Sequence, residues 1–137
     1  MEIRNCINYI LHRGQQTVVQ VFRKELQPLD ITPVQYGILI YLITENGCLS
    51  SDIAKEFGLE SSTVTGIIDR LEQKGLLKRK AKPNDRRANS IEITPKTLNI
   101  FDDMVAASER GNEIIEQKLG KEDFIKLKEL LSRIYEE

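Results

Sequence analysis

The sequence predicts a mainly α-helical protein of the α+β class that carries one small β-hairpin. Apolar residues recur with helical spacing along most of the 137-residue chain, whereas the stretches 76–81 and 89–94 alternate in character. The basic, turn-rich sequence KPNDRR joins these two stretches, which favours a hairpin with a charged tip. A chain of this length fits one domain with a buried core, so we expect a single domain over 1–137.

Two helices are predicted at the start of the chain. Residues 3–26 carry apolar side chains at helical spacing, and Pro28 ends this long amphipathic helix. Thr32 followed by Pro33 is typical of an N-cap with proline at the first helical position. A second helix should therefore run from there to about Glu45.

A helix-turn-helix is predicted next. Ser50 or Ser51 is expected to cap a third helix, which Gly58 ends as a left-handed C-cap. Ser61 or Ser62 is expected to cap a fourth helix that reaches about residue 75. Because only a short turn separates these two helices, they form a helix-turn-helix, and the hairpin that follows is its wing.

The fourth helix has two contrasting faces on a helical wheel. One face is apolar and carries Val64, Ile67, Ile68 and Leu71. The opposite face is small or polar and carries Ser62, Gly66, Asp69, Arg70 and Gln73. We expect the apolar face to be packed on the core and the polar face to be presented to a groove.

Amphipathic helices flank this central segment on both sides. Thr94 followed by Pro95 is expected to open a long helix that Gly120 ends, and a last helix fills the rest of the chain. Three amphipathic helices outside a compact core need a further surface to cover their apolar faces. We therefore expect a homodimer, whose two-fold symmetry would match an inverted repeat in DNA with half-sites about 10 base pairs apart.

The charge is segregated along the chain although the net charge is only -1. Between Arg70 and Arg87 there are eight basic and two acidic residues, which gives +6, and between Asn99 and Glu137 there are six basic and ten acidic residues, which gives -4. Such asymmetry indicates a local phosphate-facing patch on an otherwise acidic protein. The alternative is a solvated charged surface.

Several other classes of protein are disfavoured. No stretch approaches a membrane span, and the N-terminus does not match a secretory signal, so a cytoplasmic protein without a membrane partner is expected. Cys6, Cys48 and a single histidine do not make a disulfide scaffold or a zinc site. The chain has no glycine-rich phosphate loop and no catalytic constellation. We expect neither a cofactor nor a metal, and no enzymatic activity.

Three stretches resemble one known family. TPVQYGILIYL, LSSDIAKEFGLESSTVTGIIDRLEQKGLLKR and NDRRANSIEIT, which span about Thr32 to Thr94, are similar to the multiple-antibiotic-resistance regulator (MarR) family of winged helix-turn-helix transcription factors. The resemblance implies an N-terminal dimerisation helix over 1–28, a DNA-binding core over 32–94 and C-terminal dimerisation helices over 95–137. It also implies a regulator, usually a repressor, that leaves its operator when a small aromatic or amphipathic effector, or an oxidant, acts.

The predicted DNA contacts lie on the fourth helix and the wing. Hydroxyls near a helix N-terminus can reach bases or phosphates, a glycine permits close approach, and an arginine at a hairpin tip suits the minor groove. The candidates are Ser61, Ser62, Thr63, Thr65, Gly66, Arg70, Lys74, Asp85, Arg86 and Arg87. Simpler interpretations are a helix cap for the serines, a tight internal contact for Gly66, an internal ion pair for Arg70 and an ordinary turn at Asn84-Asp85.

The predicted effector site lies where the dimerisation helices meet the winged core. Its candidate residues, chosen by position along the chain, are His12, Arg13, Arg23 and Tyr36. Each has a structural alternative, such as an interface role for His12 or a core role for Tyr36.

Two alternative functions remain open at this point. One is a redox-sensing repressor that uses Cys6, although a cysteine without a basic neighbour is more often a small apolar filler. The other is a winged-helix module that binds an acidic protein partner. DNA binding predicts an affinity that falls steeply with salt, whereas the module predicts a flat salt response.

Overall fold

The computed structural model describes residues 2–82 and 85–136, and for 85–88 it describes the backbone alone. Seven α-helices and three strands follow one another in this part of the chain. They are α1 (Ile7–Leu26), α2 (Pro33–Thr44), β1 (Cys48–Leu49), α3 (Ser50–Phe57), α4 (Ser61–Gln73), β2 (Leu77–Lys82), β3 (Asp85–Ile93), α5 (Pro95–Asn99), α6 (Phe101–Leu119) and α7 (Lys121–Tyr135). The predicted α+β class, with a winged helix-turn-helix core, is confirmed.

The three strands form one antiparallel sheet in the order β1-β3-β2. Cys48 pairs with Ile91, and Arg79 pairs with the same residue from the other side. The register of β2 shifts between Ala81 and Lys82, near the hairpin tip. The wing is thus a two-stranded ribbon whose base is tied to the body of the protein by the short strand β1.

The core lies between the helix-turn-helix and the sheet. The apolar face of α4 is buried as the wheel predicts, and it packs with residues of α2, α3, the sheet and α6. The fully enclosed members include Ile38, Leu39, Leu42, Ile53, Ile68, Leu71, Leu77, Ile91 and Met104. This burial fixes which side of α4 faces outward.

The predicted cap of α2 is confirmed, whereas the serine caps are wrong. Thr32 and Gln35 form a reciprocal capping box, with the Gln35 N–H donating to Thr32 Oγ1 at 3.2 Å and the Thr32 N–H donating to Gln35 Oε1 at 3.1 Å. Leu49, not a serine, is the N-cap of α3, and its N–H donates to Asp52 Oδ2 at 2.9 Å. Glu60 is the N-cap of α4.

The serine caps are wrong because of the short connections that precede α3 and α4. Strand β1 leads directly into α3, so Ser50 is already helical, and the left-handed Gly58 (φ 61°, ψ 37°) leaves room for only one residue before the extended Glu60. Both helices therefore begin one residue too early for the serine side chains to cap them.

The single long helix predicted after Thr94 is in fact two helices. The backbone breaks at Ile100 (φ -104°, ψ 7°), between α5 and α6. Thr94 Oγ1 donates to the Gly75 carbonyl at 2.6 Å, and the buried Thr97 hydroxyl donates to the Leu76 carbonyl. These bonds hold α5 against the α4–β2 connection, so the chain must turn before it continues as α6. Gly120 (φ 87°) ends α6 as predicted.

The first helix begins at Ile7 rather than at residue 3, after a 3-10 turn at Ile3–Asn5. It packs along α6, where Arg110 Nε donates to Glu25 Oε2 at 2.9 Å. Across residues 2–82 and 85–136, we find no helix with the length and apolar character needed to span a bilayer.

Candidate nucleic-acid interface

The outward face of α4 is built by the burial of its opposite face. With Val64, Ile67 and Ile68 held in the core, Ser61, Ser62, Thr63 and Thr65 are exposed along the first turn and a half. Thr65 Oγ1 donates to the Ser61 carbonyl at 3.0 Å, which orients its hydroxyl along the helix and leaves the oxygen lone pairs free to accept.

The N-terminus of α4 offers backbone donors as well. Within the described residues, the Glu60 side chain makes no capping hydrogen bond. The first N–H groups of the helix have no acceptor within the helix, and the helix dipole favours an anion at that end. This is the arrangement that binds a phosphate at a helix N-terminus.

Gly66 lies on the outward side of α4, next to Thr65. In the part of the chain that the structure describes, no heavy atom outside the helix backbone lies within 4 Å of the position that a Cβ would occupy. A tight contact within the chain therefore does not account for the glycine. An external surface that approaches the backbone closely remains a sufficient reason for it.

Arg79 of β2 is a functional candidate that the sequence reasoning missed. Its Nη2 lies 2.5 Å from Asp69 Oδ1 and its Nη1 lies 2.8 Å from Glu72 Oε1, so one guanidinium bridges two carboxylates of α4. The Arg79 backbone N–H also reaches Glu72 Oε2 at 3.3 Å. The bridge joins the wing to α4 and neutralises two acids beside the proposed DNA-facing surface. Leu77 and Arg79 lie on the same side of β2, because side chains two residues apart in a strand share a face. Since Leu77 is predicted to face the protein, this pattern could have indicated that Arg79 does so too.

The basic residues on the other side of β2 remain open to solvent. Lys80 is exposed, and Lys78 Nζ lies 3.9 Å from Glu92 Oε2, a separation that contributes little at an exposed site. Lys74 is different, because its ammonium group is bound by Asp30, which lies before α2, and by Gln35 in the first turn of α2.

Behind α4, toward α1, lies a cavity of about 710 Å³. Its wall combines apolar side chains with two guanidinium groups and several amide or hydroxyl groups. The lining residues are Gln15, Val19, Arg23, Thr32, Pro33, Val34, Gln35, Phe57, Ile67 and Arg70. Arg70 is exposed on α4 and also lines this cavity, so it belongs to both surfaces.

A comparison with known proteins gives these surfaces their context. The family model described as "MarR family" matches residues 31–88. The HTH-type transcriptional regulator FarR of Neisseria gonorrhoeae is 31% identical over 129 residues, which cover 93% of this chain and 88% of FarR. The chain belongs to the MarR family.

Two solved structures extend the likeness to the whole fold. A probable transcriptional regulator from Pseudomonas aeruginosa superposes with a TM-score of 0.89 at 23% identity, over 97% of this chain and 99% of that one. The transcriptional repressor CouR, bound to a 23-mer DNA duplex, superposes with a TM-score of 0.86 at 26% identity, over 98% of this chain and 96% of that one. The MarR protein described here is a DNA-binding transcription regulator and not an enzyme.

The wing of this MarR protein carries three of the predicted contacts. Asp85, Arg86 and Arg87 belong to β3 by their backbone, but their side chains lie outside the described residues, as does Asn84 altogether. Their roles at the DNA stay predictions.

The four predicted effector residues of this MarR chain occupy different places. Arg23 lines the 710 Å³ cavity. Arg13 stays on the exposed side of α1, where its Nη1 donates to the Tyr9 hydroxyl at 3.2 Å, and His12 is exposed beside it. Tyr36 packs against the core of the winged domain. Position along the chain identified the helix that forms the cavity wall, but only a three-dimensional arrangement separates its inner from its outer side.

The two cysteines are not placed alike. Cys6 is half-buried at the residue that precedes α1. Burial, followed by the negative charge of Asp52, raises the pKa of the Cys48 thiol. A raised pKa lowers the fraction of reactive thiolate at neutral pH, which disfavours Cys48 as a peroxide sensor. Within residues 2–82 and 85–136, no cluster of three or more His, Cys, Asp or Glu residues is arranged to hold a metal ion.

Proposed function

We propose that this MarR regulator is a homodimeric repressor of an inverted-repeat operator, and that a small aromatic or amphipathic acid releases it from the DNA. The observation that carries the proposal is the double position of Arg70, which faces outward on α4 and lines the cavity next to α1. A ligand that draws this guanidinium inward would remove a cation from the DNA-facing surface.

The homodimer is supported by apolar residues that remain exposed on the terminal helices. Large aliphatic or aromatic side chains are at least a third exposed on α1, α7 and the segments beside them. They are Ile3, Ile7, Ile10, Leu11, Leu119, Ile125, Leu127, Leu130, Ile134 and Tyr135. Such a concentration of exposed apolar side chains marks an interaction site. We therefore assign 1–28 and 95–137 to dimerisation and 32–94 to DNA binding.

The proposed DNA contacts divide into reading and positioning. We propose that Thr63, Thr65 and Arg70, which are exposed on α4, meet base edges in the major groove. The N–H groups near Ser61 and Ser62 would bind a backbone phosphate. We assign the minor groove to Arg87, where an arginine responds to groove width rather than to base identity.

This division is tested by two alanine variants. Arg87→Ala should weaken binding to every duplex, whereas Thr65→Ala should change the sequence preference. Fluorescence anisotropy on one specific and one scrambled duplex measures both. Equal losses for the two variants on both duplexes would contradict the division.

The cavity suits a small anion with an apolar body. Its volume lies within the range of about 300–1,000 Å³ found for small-molecule sites. Arg23 and Arg70 supply cationic groups for a carboxylate, while Val19 and Phe57 supply apolar surface.

The decisive experiment joins selection of bound duplexes from a random pool with an effector titration. We expect an inverted repeat, an affinity that falls steeply with salt, and release of the DNA by benzoate, used here as the probe acid. Arg23→Met should reduce the benzoate response without reducing DNA affinity. A flat salt response and no recovered repeat would favour a protein-binding module, and release by peroxide only when Cys6 is intact would favour a redox sensor.

A further inference from the structure

We call α4 the recognition helix, because it carries the proposed contacts with base edges. Its C-terminal end is bound to the segment between α1 and α2 through one lysine. Lys74 Nζ donates to the Asp30 carbonyl at 2.5 Å and to Gln35 Oε1 at 3.1 Å, and it lies 3.8 Å from Asp30 Oδ1. Three oxygens from the α1–α2 region therefore surround one ammonium group. We call Lys74, Asp30 and Gln35 the clasp.

Gln35 is the central member of the clasp. Its side chain is one of the few buried polar groups among the described residues, with the residue only 4% exposed. The same Oε1 accepts from the Thr32 N–H and from Lys74 Nζ. One buried oxygen thus joins the capping box of α2 to the end of α4. Loss of either donor leaves this oxygen with one hydrogen bond instead of two.

Asp30 contributes through its backbone. It has the left-handed conformation (φ 55°, ψ 43°), and it is the one residue other than glycine with a positive φ in the described part of the chain. Such a conformation costs an aspartate about 1 kcal/mol and persists where the surroundings hold it. The Lys74 ammonium on its carbonyl is one group that holds it.

The clasp also touches the cavity. Thr32 and Gln35 form part of the cavity wall, opposite Val19 and Arg23 of α1. A change in the cavity that moves the capping box therefore moves an acceptor of Lys74, and with it the end of α4.

We propose that Lys74 is a positioning residue rather than a phosphate contact, and that the clasp transmits the state of the cavity to the recognition helix. The second part rests on the proposed effector function of the cavity. The first part requires only that the protein binds DNA.

The salt dependence of binding separates positioning from phosphate contact. Lys74→Met should lower the affinity for the selected duplex about tenfold while the slope of log K against log[salt] stays that of the wild type. Lys80→Met, which changes an exposed lysine on β2, is the matched control. It should make this negative slope shallower by about 0.9 for each phosphate that the lysine no longer neutralises. A shallower slope for Lys74→Met, or an unchanged affinity, would overturn the proposal.

A double-mutant cycle tests whether Gln35 is the partner through which Lys74 affects DNA affinity. Gln35→Met removes the shared acceptor, so it should lower the affinity as Lys74→Met does, and the two changes together should cost no more than either alone. Gln35→Glu keeps an acceptor for both donors and should retain the affinity within about threefold. Thermal unfolding identifies any variant that has lost its fold. If Gln35→Met has lost its fold, the DNA affinity of Gln35→Glu tests the clasp instead. Additive losses would overturn the clasp.

Filling the cavity tests transmission without any ligand. Val19→Phe should lower DNA affinity in the wild-type background and have no further effect in the Lys74→Met background. Equal effects in both backgrounds, or none in the wild type, would overturn transmission through the clasp. Release by benzoate would stand in that case, so the proposed effector function and the clasp fail separately.

Discussion

Helices α4 and α7 have similar lengths and similar amphipathic patterns, but only one of them finds a complete partner within the chain. The four apolar residues of α4 are all buried, to 6% exposure or less. In α7, Phe124 is buried at 9% exposure, whereas Ile125, Leu130 and Ile134 are 53%, 42% and 66% exposed. The recognition helix is therefore supported by its own chain, while the apolar face of α7 stays largely uncovered, as the proposed homodimer requires.

The contrast between α4 and α7 also separates the stability of one folded protomer from the stability of the proposed dimer. Substitutions on the buried face of α4 remove packing that exists in each protomer, so they should lower the free energy of unfolding directly. Substitutions on the exposed face of α7 remove packing that would exist only between copies, so their effect should depend on protein concentration.

The largest expected effect is that of Ile68→Ala in α4. Truncating this fully buried side chain should lower the free energy of unfolding by about 2–5 kcal/mol, through lost transfer energy and the cavity left behind. Urea denaturation monitored by circular dichroism measures the loss. Ile68→Val is the graded control, for which a loss of about 0.5–1.5 kcal/mol is expected. A loss below about 1 kcal/mol for the alanine variant would remove the contrast with α7.

Leu130→Glu in α7 should disrupt assembly instead. If each protomer loses about 1.5 kcal/mol of apolar burial at the interface, the dimer dissociation constant rises roughly 100-fold. Sedimentation velocity at several concentrations measures the dissociation, and DNA affinity should fall with it. Leu130→Met is the conservative control. A variant that remains dimeric at nanomolar concentration would place the interface elsewhere.

Gly111→Ala tests the packing of α6 against α1 within one chain. An added Cβ would lie 2.9 Å from three ring atoms of Phe22, so α1 and α6 must move apart or the ring must tilt. We expect a net loss of about 1 kcal/mol in the free energy of unfolding, because overpacking exceeds the gain in helix propensity.

Gly14→Ala in α1 is the matched control for Gly111→Ala. Among the described residues nothing lies within 4 Å of its added Cβ. It should raise the midpoint of thermal unfolding, since alanine favours the helix by roughly 1 kcal/mol. Equal shifts for the two variants would show that the α1–α6 contact is looser than its geometry indicates.

Gly66→Ala should have the smallest effect on stability and an opposite effect on function. Its added Cβ meets no neighbour in the described part of the chain, so unfolding should become harder by about 0.5–1 kcal/mol. If DNA approaches the α4 backbone closely, affinity should nevertheless fall about tenfold. Anisotropy titrations on the selected duplex measure it. An unchanged affinity would remove Gly66 from the proposed interface.

Features that depend on neighbouring residues were predictable from the sequence. The cap at Thr32 and the left-handed Gly58 involve partners within a few residues, and the buried face of α4 follows from helical geometry alone. The serine caps failed because a one-residue change in where a connection ends decides which residue is the cap.

The candidate site was predictable only in part, because several of its contacts join distant parts of the chain. Lys74 meets Asp30 and Gln35, which precede it by 44 and 39 residues, and no local pattern pairs them. Arg79 and the carboxylates of α4 are closer in sequence, but their meeting requires the wing to fold back onto that helix.

The helix-turn-helix with its wing, the flanking helical segments and the MarR family follow from the amino-acid sequence, since hydrophobic period and short-range turn chemistry specify them. The break between α5 and α6 does not. Three further features required the folded chain: Arg23 and Arg70 line one cavity, the lysine at the end of α4 is bound internally, and particular apolar faces remain uncovered. The physical reason is that periodicity states only that a face is apolar. Which surface covers it depends on where the rest of the chain comes to lie.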